Sequence, residues 1–404
     1  MRPWIGCIGF LLLAPLARAV PAPDSTTAAL RIFQIDDVQH LPDSDRAEAY
    51  TAYVVALRQA LADSATAGAR AMAERATNLW PDLQRPFLHL AAAQLQAKRW
   101  GLSIAAARLA RERKPDALPP VPLPWEGEAA ADYWEGLGMY QTRRYDEAMP
   151  LLRRAHAADP AWAEAACALG EAEFVTGDYA AAKRAYARAY EIDPHIGDAR
   201  DYSYYATAIA SSGDLDGGIA VMQAAVRRFP YAPGLHASLG SMLEQEQDLA
   251  EAYYAYTMEL LVHGLRGRFA ANALQAAGKI LDRANPENKA DHELEVLSRG
   301  MNSLRQGDMH HAVHSFRHLL EISRTPTPLP RLLLAEAYLG IGNATAARDE
   351  LEKYLQTESD FAPALYLLSQ AYAALGDREH AAALRARAKE LFPGYWKFET
   401  DAGG

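Results

Sequence analysis

Four histidines that lie close together in the sequence have the residue type and spacing of metal ligands: His310, His311, His314 and His318. A helix would place His310, His314 and His318 on one face, because they are four residues apart. Neutral imidazoles at this spacing can hold a divalent metal ion, so these three form a candidate metal site. No carboxylate or thiolate shares the face before Glu321, and a site without supporting groups rarely binds tightly. The alternative is a solvated helix face that is rich in histidine.

Patterns typical of catalytic and cofactor sites are absent from the sequence. It has no glycine-rich phosphate loop, no paired-cysteine zinc pattern, no Gly-x-Ser-x-Gly and no His-Glu-x-x-His. Cys167 has no candidate activating base near it in sequence, and we expect it to be a small core or groove residue. We therefore predict no catalytic residues, no cofactor and no enzymatic activity.

A period of 34 residues organises most of the chain. Asp159-Pro160 returns as Asp193-Pro194, and the sequence between the two dipeptides is self-similar. In this register the repeats begin at Tyr50, Gln84, Ala129, Ala163, Ala199, Pro233, Glu293, Pro328 and Ala362.

Several positions of each repeat carry residue types that have a mechanical reason. The eighth position is small, as at Gly170, and we expect it to face a small residue at the twentieth position, as at Ala182, where two helices cross closely. Pairs such as Gly177-Asp178 suit the end of one helix and the N-cap of the next. Proline at position 32 ends the second helix.

This register resembles the tetratricopeptide repeat (TPR), a unit of two short antiparallel helices. The resemblance covers roughly three quarters of the chain and is strongest in the repeats that begin at Ala129 and Ala163. It implies an all-α fold, a right-handed superhelical solenoid of about nine TPR helix pairs with one extra helix.

The register and its interruptions predict a division of the chain into a signal peptide (1–19), an N-terminal segment (20–49), a TPR pair (50–117), a Pro-rich linker (118–128), four TPRs (129–266), an extra helix (267–292), three TPRs (293–395) and a tail (396–404). We expect residues 118–128 to be a stiff connector that separates the first pair from the rest. The alternative is a ligand for an aromatic-lined groove. Residues 267–292 are either a lone helix or a decayed repeat.

The two ends of the repeat array differ in polarity. Arg385 and Lys389 give the last repeat a polar face, which predicts that the stack ends there. The first helix, from Tyr50 to Leu61, has no such polarity. We therefore expect residues 28–46, or another subunit, to cover it.

Residues 1–19 have the features of a secretory signal peptide. Arg2 precedes an apolar run from Ile5 to Leu16, and Ala17-Arg18-Ala19 fits the cleavage pattern. The alternative is an uncleaved leader that anchors the chain. We therefore expect an exported protein, with the periplasm as its compartment, and no membrane span in the mature chain.

The charge of the chain argues against a nucleic-acid partner. Removing residues 1–19 takes away Arg2 and Arg18 and no acidic residue, so the net charge falls from −10 to −12. Phosphate binding needs a basic face, which this balance does not favour.

In TPR proteins the groove is lined by positions 2, 5, 9, 12 and 13 of the first helix of each repeat. By this resemblance the groove residues include Tyr133, Tyr140, Phe174, Arg200, Ser203, Thr207, Ser241, Glu244 and Gln245. Aromatic residues mixed with polar groups suit an extended peptide or a partner helix. Alternatively, each side chain packs on a neighbouring helix. The Lys and Asn with which some relatives grip a carboxylate tail are absent from these positions.

The resemblance implies a non-enzymatic scaffold or adaptor that binds protein partners through its groove, and the leader features of residues 1–19 imply that it is exported. One alternative is a metal- or glycan-binding periplasmic protein that uses the histidine face or the aromatic groove. Another is a regulatory subunit of a separate enzyme.

Overall fold

The computed structural model describes residues 43–62, 65–114, 127–264, 267–283, 289–323, 329–357, 360–395 and 397–400. These residues form helices and their connections, without a β-strand, which confirms the predicted all-α repeat fold. The chain divides into two compact units, residues 1–218 and residues 219–404, called here the N-terminal and C-terminal units.

The N-terminal unit contains α1 (Asp43–Ala62), α2 (Thr66–Leu79), α3 (Gln84–Gln96), α4 (Trp100–Glu112), α5 (Gly127–Gln141), α6 (Tyr145–Ala158), α7 (Ala163–Val175), α8 (Tyr179–Ile192), α9 (Ala199–Ser211) and the start of α10 (Leu215–Arg228). The C-terminal unit contains the rest of α10 and α11 (Leu235–Glu246), α12 (Leu249–His263), α13 (Gly267–Arg283), α14 (Lys289–Gln306), α15 (Met309–Ile322), α16 (Leu329–Gly340), α17 (Ala344–Leu355), α18 (Ala362–Ala374), α19 (Arg378–Leu391) and α20 (Lys397–Thr400).

Helices pair as the 34-residue register predicts. In the N-terminal unit α1 packs on α2, α3 on α4, α5 on α6 and α7 on α8. The first helices of successive repeats, α3, α5, α7 and α9, also contact one another in turn. In the C-terminal unit the pairs are α11 with α12, α14 with α15, α16 with α17 and α18 with α19.

The small eighth position is packed more tightly than the sequence indicated. A methyl group added at Gly170 would lie 2.8 Å from the ring of Tyr186, and one added at Gly240 would lie 2.8 Å from the ring of Tyr256. Tyr186 and Tyr256 occupy position 24 of their repeats, on the second helix. Glycine at position 8 therefore makes room for a ring on the second helix of its own repeat.

The turns between paired helices have the predicted chemistry. Gly177 has a φ of +90°, which favours glycine. The side chain of Asp178 accepts a hydrogen bond from the backbone N–H of Ala181 at 3.0 Å and so caps α8. Asp308 and Asp377 cap α15 and α19 in the same way.

The Pro-rich segment interrupts the sequence but not the packing. Residues 115–126 lie outside the described residues, yet α4 and α5 on either side of them are in contact. A methyl group at Gly138 would lie 2.7 Å from Ile104, and Arg108 donates a hydrogen bond to Glu135 at 2.7 Å. One apolar core extends from Ala49 to Ala185, so the first pair of repeats is not separated from the following repeats.

The extra helix predicted within residues 267–292 is α13, which packs on α12 and α11. Its buried side chains include Ala273, Ala277 and Ile280. The lone-helix and decayed-repeat interpretations both stay open.

Both ends of the described chain differ from the prediction. The first helix begins at Asp43 rather than Tyr50, and the Arg46 guanidinium lies 4.0 Å from the ring centre of Trp80. The predicted signal peptide and most of the predicted covering segment lie outside the described residues.

At the other end, the predicted tail includes helix α20. The ring of Phe398 packs against Tyr366 at 5.3 Å between centroids, and Tyr395 is fully buried. Arg385 lies over both Tyr366 and Phe398, so it covers aromatic rings rather than forming a bare polar end.

Candidate partner-binding face of the N-terminal unit

The predicted groove residues do not share one environment. Tyr133 lies in the core: it is fully buried, and its ring centroid is 4.5 Å from that of Trp162 and 4.8 Å from that of Trp134. A partner cannot reach Tyr133 in this arrangement. This side chain therefore follows the alternative of packing on neighbouring helices.

Tyr140 and Arg200 converge on one buried acid, Glu171. Tyr140 on α5 donates a hydrogen bond to Oε1 of Glu171 on α7 at 3.1 Å, and Nη2 of Arg200 on α9 lies 2.6 Å from the same oxygen. Three successive first helices are therefore joined by one polar cluster.

Burial sets the electrostatics of this cluster. Glu171 is 2% exposed, and burial raises the pKa of its carboxyl while Arg200 and Tyr140 oppose the rise. Burial lowers the pKa of Arg200, but Glu171, Asp201 and Asp198 more than offset this and raise it above its ordinary value. Arg200 is thus a permanent cation whose position is fixed by a buried partner.

An aromatic platform lies beside this cation. Phe174 on α7 stacks on Tyr204 on α9, with centroids 4.2 Å apart and an interplanar angle of 14°. The Arg200 guanidinium lies 5.8 Å from the Tyr204 ring centre. Next to Phe174, Val175 is 38% exposed and Tyr179 is 39% exposed, which leaves apolar surface open to solvent.

Ser203 and Thr207 extend the same face of α9. Both are half-buried, and the Thr207 hydroxyl donates to the carbonyl oxygen of Ser203 at 2.7 Å. Their hydroxyl oxygens keep lone pairs that can accept hydrogen bonds. We call the surface formed by Phe174, Val175, Arg200, Ser203, Tyr204 and Thr207 the α7–α9 face.

The remaining predicted groove residues belong to the C-terminal unit. Ser241, Glu244 and Gln245 lie on α11, where the Gln245 side chain donates to the Ser241 carbonyl at 3.2 Å. The Tyr256 hydroxyl donates to Glu244 at 3.3 Å. Ser241 and Gln245 are exposed, and their role in binding stays a prediction.

Glu171, Val175 and Tyr204 are site residues that the sequence analysis missed. Glu171 and Val175 occupy positions 9 and 13 of their repeat, so the groove register could have identified them. Tyr204 occupies position 6, which the register assigns to no groove contact. Its place in the platform depends on the ring of Phe174, thirty residues earlier in the sequence.

Asp201 forms a second buried acid beside this face. It is fully buried and accepts hydrogen bonds from the backbone N–H of Asp198 at 2.9 Å and from the Tyr186 hydroxyl at 3.3 Å. Burial, with the nearby carboxylates of Glu171 and Asp198, raises the pKa of Asp201 to about 8. Asp198 caps α9 in return.

The histidines of α15 lie on the side of this helix opposite its buried residues Ala312 and Phe316 or at its edge, and most of them are exposed. His310 and His314 are exposed, and the ring of His318 lies 6.0 Å from that of His292. Within the described ranges no three His, Cys, Asp or Glu side chains are placed to hold a metal ion, so His310, His314 and His318 do not form such a group here. Metal binding at these residues stays a prediction.

Paired helices in a fixed register, with contacts between the first helices of successive repeats, define a helical-repeat protein. The tetratricopeptide repeat family model matches residues 163–196, which span α7 and α8. Residues 163–196 therefore form a tetratricopeptide repeat, as the sequence register indicated. No helix among the described residues is long and apolar enough to cross a membrane.

Solved structures with some similarity to this chain include other helical-repeat proteins. A MamA AMB-1 structure is 16% identical, with 44% of this chain and 96% of that chain covered and a TM-score of 0.37. A tetratricopeptide repeat protein from Parabacteroides merdae is 16% identical, with 68% and 97% covered and a TM-score of 0.33. The C-terminal part of a TPR repeat-containing protein from Cytophaga hutchinsonii is 10% identical, with 72% and 98% covered and a TM-score of 0.40. Curated protein sequences gave no match.

Proposed function

We propose that this chain is an exported, non-enzymatic scaffold that binds an extended segment of a protein partner on the α7–α9 face. Repeat stacks of this type present surface for recognition, and the first helices of a TPR array supply the residues that contact a ligand. Export rests on the leader features of residues 1–19.

The observation that carries the proposal is the arrangement of Arg200 beside the Phe174–Tyr204 stack. Glu171, which also binds the Tyr140 hydroxyl, holds the Arg200 guanidinium in place. The rings of Phe174 and Tyr204 are half-buried, and Val175 is exposed. Side chains that are held in place before binding lose less conformational entropy when a partner arrives. The face is thus organised in the free protein.

The same cluster defines the chemistry of the partner segment. The charge of Arg200 is already balanced by Glu171, so the face is not a free anion site. It offers ring and guanidinium planes for an aromatic or apolar side chain, and hydroxyl oxygens of Ser203 and Thr207 for donors of the partner. A short extended peptide with an apolar anchor and backbone or side-chain N–H groups fits this combination.

Site-specific photocrosslinking tests this proposal in the native host. A photoreactive amino acid at Ser203 should crosslink one recurring protein through a defined segment, identified by mass spectrometry. A matched probe at Arg184, an exposed residue of α8 outside this face, should not crosslink that segment. Equal crosslinking from Ser203 and Arg184, or none from Ser203, would contradict the proposal.

A further inference from the structure

The C-terminal unit contains an open cavity of about 600 Å³. It is lined by α10 and the loop that joins it to α11, by α11 and α12, by the start of α16, and by α17, the residues before α18 and the end of α19. Apolar and aromatic side chains make up most of its lining, among them Tyr231, Leu239, Tyr254, Met258, Tyr354 and Phe361. Protein cores hold few voids larger than a water molecule, whereas small-molecule sites have volumes of about 300–1,000 Å³. The cavity therefore has the size and lining of a ligand site.

A well-ordered contact closes one side of the cavity. The Tyr231 hydroxyl donates to the carbonyl oxygen of Asp360 at 3.0 Å and accepts from the backbone N–H of Ala362 at 2.8 Å. Its ring stacks on Phe392, with centroids 4.7 Å apart and an angle of 5°. This wall is held by hydrogen bonds and ring contacts in the free protein.

The histidine that lines the cavity is uncharged near neutral pH. His236 is 8% exposed, and its Nε2 lies 3.3 Å from the carbonyl oxygen of Pro230. Burial lowers its pKa to about 4, so the imidazole is neutral. An apolar body is therefore the part of a ligand that suits the interior.

The lining of the cavity carries charges of both signs: Arg227 and Arg228, with Glu251 and Asp360. Asp360 is paired with Arg387 at 3.1 Å. Arg227 is exposed, so an acidic ligand group at the mouth of the cavity would meet its guanidinium.

We propose that this cavity binds a small organic anion with an aromatic or apolar body, the body lying among Tyr231, Tyr254 and Phe361 and the acidic group lying towards Arg227 and Arg228. The site lies in the C-terminal unit and is independent of the partner-binding face proposed above. A carboxylate or sulfonate fits the donors of the arginines, and the rings provide stacking surfaces.

Calorimetric titration of the full chain with naphthalene-2-sulfonate tests this proposal. We expect saturable binding of one equivalent. The cationic analogue 2-naphthylmethylammonium should bind at least about tenfold more weakly. Absence of binding by the sulfonate would overturn the proposal, and equal affinity for the cation would overturn the anion specificity.

Matched variants locate the binding. Thr357→Trp at the exposed rim should weaken binding of the sulfonate by about tenfold or more, whereas Gln356→Trp, next to it but outside the lining, should not. If Thr357→Trp does not fold, Gln223→Trp, at another exposed residue of the lining, serves instead. Arg227→Glu should weaken binding, and Arg317→Glu, an exposed change on α15, should leave it unchanged. Equal effects of a rim variant and its control would overturn the proposal.

Discussion

At the level of single residues, the buried acid Asp201 beside the α7–α9 face contributes to the pH dependence of stability. Asp201 has an ordinary pKa of 3.8, and its folded value is about 8. Between these values the folded chain keeps a proton that the unfolded chain loses. The free energy of unfolding therefore falls as pH rises through this window.

Asp201→Asn should remove this part of the pH dependence, because an amide does not titrate. The difference between wild type and variant should change by up to about 1.4 kcal/mol per pH unit between about pH 4 and about pH 8, with the variant relatively more stable at the alkaline end. Urea unfolding followed by circular dichroism across this range measures it. Asp146→Asn, an exposed change on α6, is the control. Parallel pH curves for wild type and Asp201→Asn would refute the prediction.

The packing of position 8 leads to a second prediction at this scale. Gly240→Ala should lower the free energy of unfolding by about 1–3 kcal/mol, because the new methyl group would press on the ring of Tyr256. Gly278→Ala on α13 meets nothing within 4 Å and should raise it by about 0.5–1 kcal/mol. Chemical denaturation of both variants checks the pair. A stabilising Gly240→Ala would show that Gly240 and the ring of Tyr256 are not in close contact.

The limits of sequence-based prediction are clear at Tyr133 and Glu171. The register correctly required small residues and Gly-Asp turns, because each serves its own helix pair. It does not distinguish a ring that faces the groove from one that faces a neighbouring helix, so the register predicts Tyr133 in the groove although its ring packs against Trp134 and Trp162. The Glu171–Arg200 pair joins residues 29 apart in sequence, and its formation depends on how two repeats stack.

At the level of helices and loops, proline content did not predict where the packing between repeats is interrupted. The proline-rich segment indicated a break, but Ile104 fits against Gly138 and α4 packs directly on α5. Conversely, no sequence signal indicated that the loop after α10 contacts the start of α18. That contact joins Tyr231 to residues 129 and 131 positions later, and it depends on rotations accumulated over several repeats.

Tyr231→Phe should lower the free energy of unfolding by about 1–3 kcal/mol, because the ring stays while the hydroxyl hydrogen bonds to Asp360 and Ala362 are lost. Tyr231→Ala should cost more, since the stacks on Phe361 and Phe392 are lost as well. Urea unfolding of the two variants measures the difference. Equal stability of wild type and Tyr231→Phe would mean that the hydroxyl contacts do not form.

At the scale of the whole molecule, the scaffold proposal includes export. If residues 1–19 are a cleaved signal peptide, the protein recovered from the host should begin at Val20. Intact-mass analysis of the purified protein and N-terminal sequencing would both report this. A chain that retains residues 1–19 would support the uncleaved leader instead.

The most direct test of the central claim is the affinity of a selected peptide for the α7–α9 face. A random peptide library selected on the mature chain should yield a sequence with an aromatic or apolar anchor. We predict that Thr207→Trp weakens its binding, measured by calorimetry, by at least about tenfold, whereas Arg184→Trp leaves the affinity unchanged. Failure to enrich any peptide, or equal affinity for Thr207→Trp and wild type, would contradict binding at this face.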